Sequence, residues 1–495
     1  MAVSFNQIPS NLRVPLVYIE FDNSQAVSGT PAISHKILVL GQRLATGTVA
    51  EGVPVRITSY DQAEQYFGRG SMLAEMFRYG KQANRYTETW AIALDEDGAG
   101  AAATGKIAFS GPATQSGTMY WYIGGKRVKV GVSSGDTADA MASALVAAIN
   151  AEDTAPATAA VNGTTASEVD LTARWKGETG NDIDIRHSYY TGESLPAGVG
   201  ATITAMANGS GNPDVATAIT ALGDEWYHTI VMPYTDAANL AALEIELADR
   251  WGPTRQIDGI AYAAHRGTHS DTGTFGDGRN GKHVSVMGTN KVPEPPYLWA
   301  TVDAFTAAAS IAIDPARPLQ TLPLVGLKPP AVEDRWTMEE RNLHLYDGIS
   351  TYMVDAGGQV LIERQLTTYQ TNAFGVEDPS YLDVNTPATL SYIRYATRAR
   401  ITQKYPRHKL ASNGTRAGEG QALVTPNDIR DELISLMREL ETRGLVENIE
   451  QYKEDLIVER DIDAGGSDPN RINVQSHPDL VNQFRIYAEQ TQFRL

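Results

Sequence analysis

Four groups of residues in this chain have types and spacings that chemistry could use. Gly131-Val-Ser133-Ser-Gly135 fits GxSxG, with strand-like text before it and helical text after it. A nucleophile elbow sets a serine on such a turn so that its oxygen projects from the sheet, and Ser133 would then be the attacking group of an α/β hydrolase. An elbow also needs an acid and a histidine downstream, and Asp136 and Thr137 are better explained as N-caps of a helix over Thr137–Asn150. Gly276-Asp-Gly278-Arg-Asn-Gly281-Lys282 contains GxGxxG. A dinucleotide site needs that turn to leave a strand and open a helix, so that phosphate meets free backbone N–H groups. Here a Gly/Thr/Asp loop precedes the glycines and the strand His283–Met287 follows them, which is the punctuation of a flexible loop. His265, His269, Asp271 and His283 surround the same loop, and imidazoles with a carboxylate can hold zinc. With His265–Lys282 as a polar loop, Arg-Gly-Thr joins His265 to His269 and gives them no shared helical face. The acid pairs Glu339-Glu340 and Asp431-Glu432 stand in helical text, where the helix dipole and solvation account for them. These groups assign no catalytic residue, no metal ligand and no cofactor site.

The elements that would have to position such groups read as α/β text. Lys36–Leu40 (KILVL) is a buried strand, followed by strand Val53–Thr58, helical text from Asp61 to about Asn84, and strand Thr89–Leu94. Ser71 is a helix N-cap before Met72, Met76 and Phe77 on one face. Between about Asp95 and Ser210 the text turns rich in Gly, Ala, Thr and Ser, with short strands (Gly105–Ser110, Thr118–Ile123, Arg127–Val132) and one helix. Such a block, bounded by polar Gly-rich text on both sides, reads as an inserted surface domain. The α/β pattern resumes with helix Asp214–Gly223, strand His228–Met232, helix Ala237–Trp251, strand Ile257–Ala264 and helix Trp299–Ile313. A hairpin follows, Thr351–Val354 with Gln359–Glu363 around Gly357-Gly358. Two helices come next, at about Tyr381–Tyr405 and Asn427–Arg443, and in the second Ile429, Leu433, Leu436, Met437 and Leu440 form one apolar stripe. Strands are expected at Glu450–Glu459 and Arg471–Val474. The expected fold class is α/β with α+β mixing: a multi-domain chain whose N- and C-terminal parts build an α/β core carrying an inserted β-rich outer domain and extended terminal arms.

Composition narrows the function further. The 495 residues exceed one typical core, so two or more domains are expected. Lys and Arg number 41 against 59 Asp and Glu, a net charge of −18, which argues against nucleic acid or an anionic membrane as a direct partner. There is no cysteine, which removes disulfides and thiolate metal sites. No secretion signal is visible, and no apolar run approaches the roughly 18 residues that span a bilayer.

Both ends of the chain are unusual. Val481–Leu495 (VNQFRIYAEQTQFRL) alternates as a strand does, with Phe484, Ile486 and Ala488 on one side and Arg485, Tyr487 and Glu489 on the other. A terminal strand needs an edge to pair with, on its own sheet or on a neighbour's. Met1–Phe21 is apolar and extended in character, and Pro9 and Pro15 keep it from forming a helix or a central ladder position.

The ordered blocks resemble the tail sheath proteins of contractile-tailed bacteriophages, in particular those of the phage Mu group. One block is Ile37–Leu94, from KILVLGQRLATGTVAEGVPVRITSYDQAEQYFGRGSMLAEMFRYGKQAN to TWAIALDE. The other is Leu322–Leu495, with LPLVGLKPP, FGVEDPSYLDVNTPATLSYIRYATRARI, GQALVTPNDIRDELISLMRELETRGLVEN and the final strand. The resemblance implies a non-enzymatic structural subunit without cofactor. It implies hexameric rings stacked as a helical polymer around a tail tube protein, with baseplate and tail terminator proteins as further partners and no membrane insertion. Such a polymer is assembled in the bacterial host cytoplasm and belongs to the virion tail. It contracts on free energy stored in a trapped extended lattice and drives the tube through the host envelope. The family's terminal arms add strands to neighbours, which places inter-subunit arms at Val14–Phe21 (Val14, Leu16, Tyr18) and Phe484–Ala488 (Phe484, Ile486, Ala488). An inner helix faces the tube, and Asn427–Arg443 is the candidate, with Arg430, Asp431, Arg438 and Glu439 on its polar side. The implied division is an arm over 1–35, core over 36–94, insert over 95–210, core again over 211–320, an inner sheath domain over 321–480 and an arm over 481–495.

Overall fold

Lys36–Gln42 is apolar without alternation, and Ile37 to Leu40 are fully buried, as a strand covered on both faces must be. It stands in the middle of a six-stranded sheet in the order Val284–Thr289, Ile260–Arg266, Thr229–Val231, Lys36–Gln42, Glu88–Leu94, Val55–Arg56. The first five strands are parallel, and Val55–Arg56 closes one edge antiparallel to Glu88–Leu94. The computed structural model describes residues 13–15, 17–19, 33–416, 418 and 420–494. The fold is mixed α/β and multi-domain, and residues 34–388 form one compact unit while the residues from 389 onward form a second.

Helical text between Asp61 and Asn84 resolves into two helices, Tyr60–Phe67 and Met72–Ala83, with Gly68-Arg69-Gly70 between them. Gly70 adopts φ +76°, and a Cβ there would meet the Asp153 carbonyl at 2.3 Å, so the chain turns where only glycine fits. Ser71 caps the second helix by accepting from the Ala74 N–H, and Met72, Met76 and Phe77 are buried as the pattern requires. That helix lies against the long helix Pro296–Ile313, where Gly80 lets the Phe305 ring approach to within 2.7 Å of a would-be Cβ. Both helices cover the central sheet, and their apolar side chains join its strands in one core.

Residues 102–207 hold a core of their own. Four antiparallel strands run in the order Gly200–Ala207, Ala102–Ser110, Glu168–Lys176, Ala157–Val161, beside a three-stranded sheet Lys126–Val132, Gly117–Ile123, Ile185–His187. The helix Ala138–Ala151 packs its Met141, Leu145 and Ile149 against Ile107, Trp121 and Leu171. A two-way backbone bridge joins Ala101 to Ser210, so the segment enters and leaves at one place. It is tied to the rest of its unit by Glu75, buried, whose carboxylate receives Lys126 at 2.7 Å and Arg78 at 2.8 Å.

The C-terminal unit is built differently. Pro426–Thr442 is an amphipathic helix that buries Ile429, Leu433, Leu436, Met437 and Leu440, and a capping box of Thr425 and Asp428 starts it. Two further helices, Asn385–Lys404, which begins just before the unit, and Ile449–Asp455, accompany a hairpin, Ile457–Arg460 with Ile472–Gln475, and two-residue strand pairs, Lys409–Leu410 with Leu423–Val424 and Val446–Glu447 with Asp479–Leu480.

Three expectations need correction. The loop over His265–Lys282 contains a helix, His269–Asp277, opened by a capping box of Thr268 and Asp271. Glu450–Glu459 is not one strand: Ile449–Asp455 is helical and the strand spans only Ile457–Arg460. Among the described residues the terminal strand does not form: residues 481–494 belong to no strand or helix, and the last strand is Asp479–Leu480.

Candidate functional site

Each group with chemical potential turns out to have a local structural task. Ser133 is exposed on a turn where its N–H donates to the Asp136 carboxylate at 2.7 Å and the Asp136 N–H returns to the Ser133 carbonyl. Thr137 then caps the helix, so the strand-to-helix geometry of GxSxG is accounted for by capping, with no histidine bonded to Ser133. The GxGxxG glycines close a helix instead of opening one: Gly276 lies in its last turn and Gly278 is its C-cap. A Cβ on Gly276 would meet the Asp347 carbonyl at 2.2 Å, so this glycine serves close packing, away from any phosphate.

The histidines disperse. His265 stacks on Phe275 with centroids 4.1 Å apart, and burial lowers its pKa. His269 meets the His344 ring at 4.3 Å and bonds the Glu340 carbonyl at 3.1 Å, while burial pulls His344 down to about 4. His283 packs on Trp251, and Asp271 is held in its capping box, where the Thr268 hydroxyl and N–H lower its pKa. Among the described residues no group of three or more His, Asp or Glu side chains is gathered as ion ligands. Of the acid pairs, Glu340 caps a helix through Thr337, and Glu432 is buried in an ion network.

That network was not legible from spacing. Arg400, on the helix Asn385–Lys404, donates to Glu432 at 2.9 Å and also reaches Glu439, and Lys404 closes on Glu432 at 2.6 Å. The four residues expected on the polar side of the second helix therefore divide. Glu439 is engaged by Arg400, and Arg430 donates to the Lys453 carbonyl, whereas Asp431 and Arg438 are exposed to solvent. The exposed stripe of that helix also carries Asn427, Ser435 and Glu441.

The chain ends place apolar side chains in water. Phe484 is 73 % exposed and Ile486 82 %, and Tyr487, Ala488 and Phe493 are exposed with them. At the other end Val14 is 62 % and Tyr18 44 % exposed, with Val17 and Ile19 likewise in solvent; Leu16 lies outside the described residues. Transfer of Phe484 and Ile486 from water to a protein surface is worth about 1.5–3 kcal/mol each. No helix among the described residues is long and apolar enough to cross a membrane.

Profiles of phage tail sheath proteins match three stretches of the chain: a β-sandwich domain at residues 97–204, a central domain at 208–368 and a C-terminal domain at 376–494. A Mu-like prophage tail sheath protein of Haemophilus influenzae is 53 % identical over 495 residues, covering the whole of both chains. A sheath tail protein of Desulfitobacterium hafniense shares the fold with a TM-score of 0.50 and 15 % identity, over 94 % of this chain and 97 % of that one.

Proposed function

The chain belongs to the phage tail sheath proteins, a structural family, and from that premise we propose the way in which it acts. It is the repeating subunit of a contractile sheath, stacked as hexameric rings around a tail tube. Contraction of that polymer drives the tube through the host envelope. Baseplate and tail terminator proteins meet its two ends, and assembly takes place in the cytoplasm of the bacterial host.

One observation carries the reading. The last described residues, 481–494, alternate with period two yet belong to no strand, and they hold apolar side chains in water. A segment with strand chemistry that forms no ladder among the described residues is completed by strand addition to a neighbour, where main-chain hydrogen bonds and side-chain contacts act together. Phe484, Ile486 and Ala488 form one such arm, and Val14, Leu16 and Tyr18 belong to the other. Links of this kind hold while subunits rotate, since the arm pivots where it leaves the body. The exposed stripe of Pro426–Thr442, with Asp431 and Arg438, is the surface offered to the tube. Arg430 and Glu439 support it from within the subunit.

Purified protein imaged by negative-stain electron microscopy tests this function. Long hollow cylinders with six-fold end views are expected. Discrete particles of fixed size under all assembly conditions would overturn it.

A further inference from the structure

Asparagine followed by glycine is a chemically labile pair, because the main-chain nitrogen of the glycine can reach the asparagine side-chain carbon and no Cβ obstructs the ring that forms. The chain has four such pairs, Asn162-Gly163, Asn208-Gly209, Asn280-Gly281 and Asn413-Gly414. The fold restrains three of them. The Gly209 N–H donates to Asn181 Oδ1 at 2.7 Å and the Gly281 N–H to the Thr368 hydroxyl at 3.0 Å, so both attacking nitrogens are held. Asn162 is clamped at its amide instead: Nδ2 donates to Asp170 at 2.8 Å, and Oδ1 accepts the Thr164 and Thr165 N–H groups at 2.9 and 3.0 Å. Asn413 and Gly414 lie exposed in a surface turn, where Gly414 has φ +81° and a Cβ on it would meet nothing within 4 Å. Among the described residues the Gly414 N–H has no acceptor, and the Asn413 side chain makes one hydrogen bond, its Oδ1 accepting the Asn427 N–H at 3.0 Å.

We propose that Asn413-Gly414 is a site of spontaneous deamidation, and that its product alters the start of helix Pro426–Thr442. The Gly414 nitrogen gives its proton to hydroxide and bonds to Asn413 Cγ; the Cγ–Nδ2 bond breaks, and that nitrogen leaves as ammonia with a proton from water. Water then adds to one carbonyl of the five-membered imide and reopens it. The net change is one water consumed and one ammonia released, without oxidation. Opening at the side-chain carbonyl yields aspartate, whereas opening at the main-chain carbonyl yields isoaspartate, with the backbone routed through the side chain. Asn427 is the second residue of its helix, so its N–H lacks a partner within the helix and Asn413 Oδ1 satisfies it from another loop. Aspartate keeps that bond and sets a negative charge beside a helix N-terminus, which the dipole favours. Isoaspartate inserts a main-chain carbon and carries the oxygen away, so the bond is lost. This chemistry needs neither a partner nor a polymer, and it goes beyond the sheath reading.

Peptide mapping by mass spectrometry of the unassembled full-length protein, aged in warm alkaline buffer and digested in acid, reads the conversion at all four pairs. Asn413 is expected to convert about tenfold or more faster than any of the other three, since those must first open locally. In denaturant the four should convert at comparable rates, which shows that the fold makes the choice. Equal rates in the folded protein, a faster pair elsewhere, or the same preference for Asn413 in denaturant overturns the assignment. Enzymatic methyl labelling of isoaspartate should mark the peptide that contains Asn413. The variant N413Q, whose longer amide closes a ring far more slowly, should lose that label, and a label that survives it also overturns the assignment. Hydrogen exchange at the Asn427 amide is expected to quicken several-fold in the isoaspartate fraction and to stay at or below the native rate in N413D. Unchanged exchange in isoaspartate-bearing protein, or faster exchange in N413D, overturns the link to the helix start. Because no polymer is needed, absence of cylinders leaves each of these measurements readable.

Discussion

In the body, residues 34–388, each strand of the central sheet finds its neighbours inside the chain, and Ile37 to Leu40 see no solvent. In the C-terminal unit the paired strands shrink to two residues at Val446–Glu447 and Asp479–Leu480, and the chain then runs on outside any strand or helix to residue 494. The body is stabilised by apolar burial, which is non-directional and complete in one copy. The C-terminal unit adds to the apolar stripe of Pro426–Thr442 a buried set of directional contacts, the Arg400–Glu432–Lys404 network, and short ladders, and it ends in strand-like text outside any ladder. A subunit that must survive alone and then reorganise in a polymer needs both kinds, because only the second can be exchanged between copies without unfolding.

The largest expected effect breaks this contrast outright. Removal of Gln483–Leu495 should abolish polymer in electron micrographs while leaving the melting temperature of the subunit unchanged. Normal cylinders from the truncated chain would mean that the end pairs at home. A smaller effect sharpens the contrast from the other side. Arg400→Ala leaves Glu432 buried with Lys404 alone, and a loss of about 2–4 kcal/mol is expected in this unit. Hydrogen exchange should show helix Pro426–Thr442 deprotected and strand Lys36–Gln42 unaffected; uniform deprotection of both would tie the two units into one cooperative block.

The smallest effect concerns the body and pH. Burial raises the Asp303 carboxyl to about 7, against its one hydrogen bond from Gln365 at 2.7 Å. The folded state therefore keeps a proton that the unfolded state releases near pH 4, so stability falls as pH rises from about 4 to about 7 and stays low above that. Asp303→Asn should raise stability by about 2–3 kcal/mol at pH 8 and by little near pH 4, read from melting curves across that range. Parallel curves for native and variant would show that Asp303 is ionised at no such cost.

Much of the body was legible because its physics is local. Lys36–Leu40 reads as a buried strand from composition alone, and Ala237–Trp251 is a helix over the expected residues, with Asp236 as its cap. Helix His269–Asp277 escaped because its residues, HSDTGTFGD, favour turns; the Thr268-x-x-Asp271 box was the signal that could have found it. Glu450–Glu459 misled because its helical turn starts from Asn448 in a left-handed conformation, which no apolar period announces. The Arg400 network joins residues 32 positions apart and leaves no trace in spacing. At the chain end the period of two in Phe484–Glu489 suggested a strand, but a ladder depends on a partner edge as well as on alternation, and residues 481–494 form none among the described residues.

The bridge between Ala101 and Ser210 has a practical consequence. A module whose two cords leave through one doorway can be unplugged and another fitted without rethreading the host chain. Closing the gap with a short linker costs little entropy, because the ends already touch. The segment between those residues is thus a socket, where a tag, a label or a foreign domain could be mounted on every repeat of a tail.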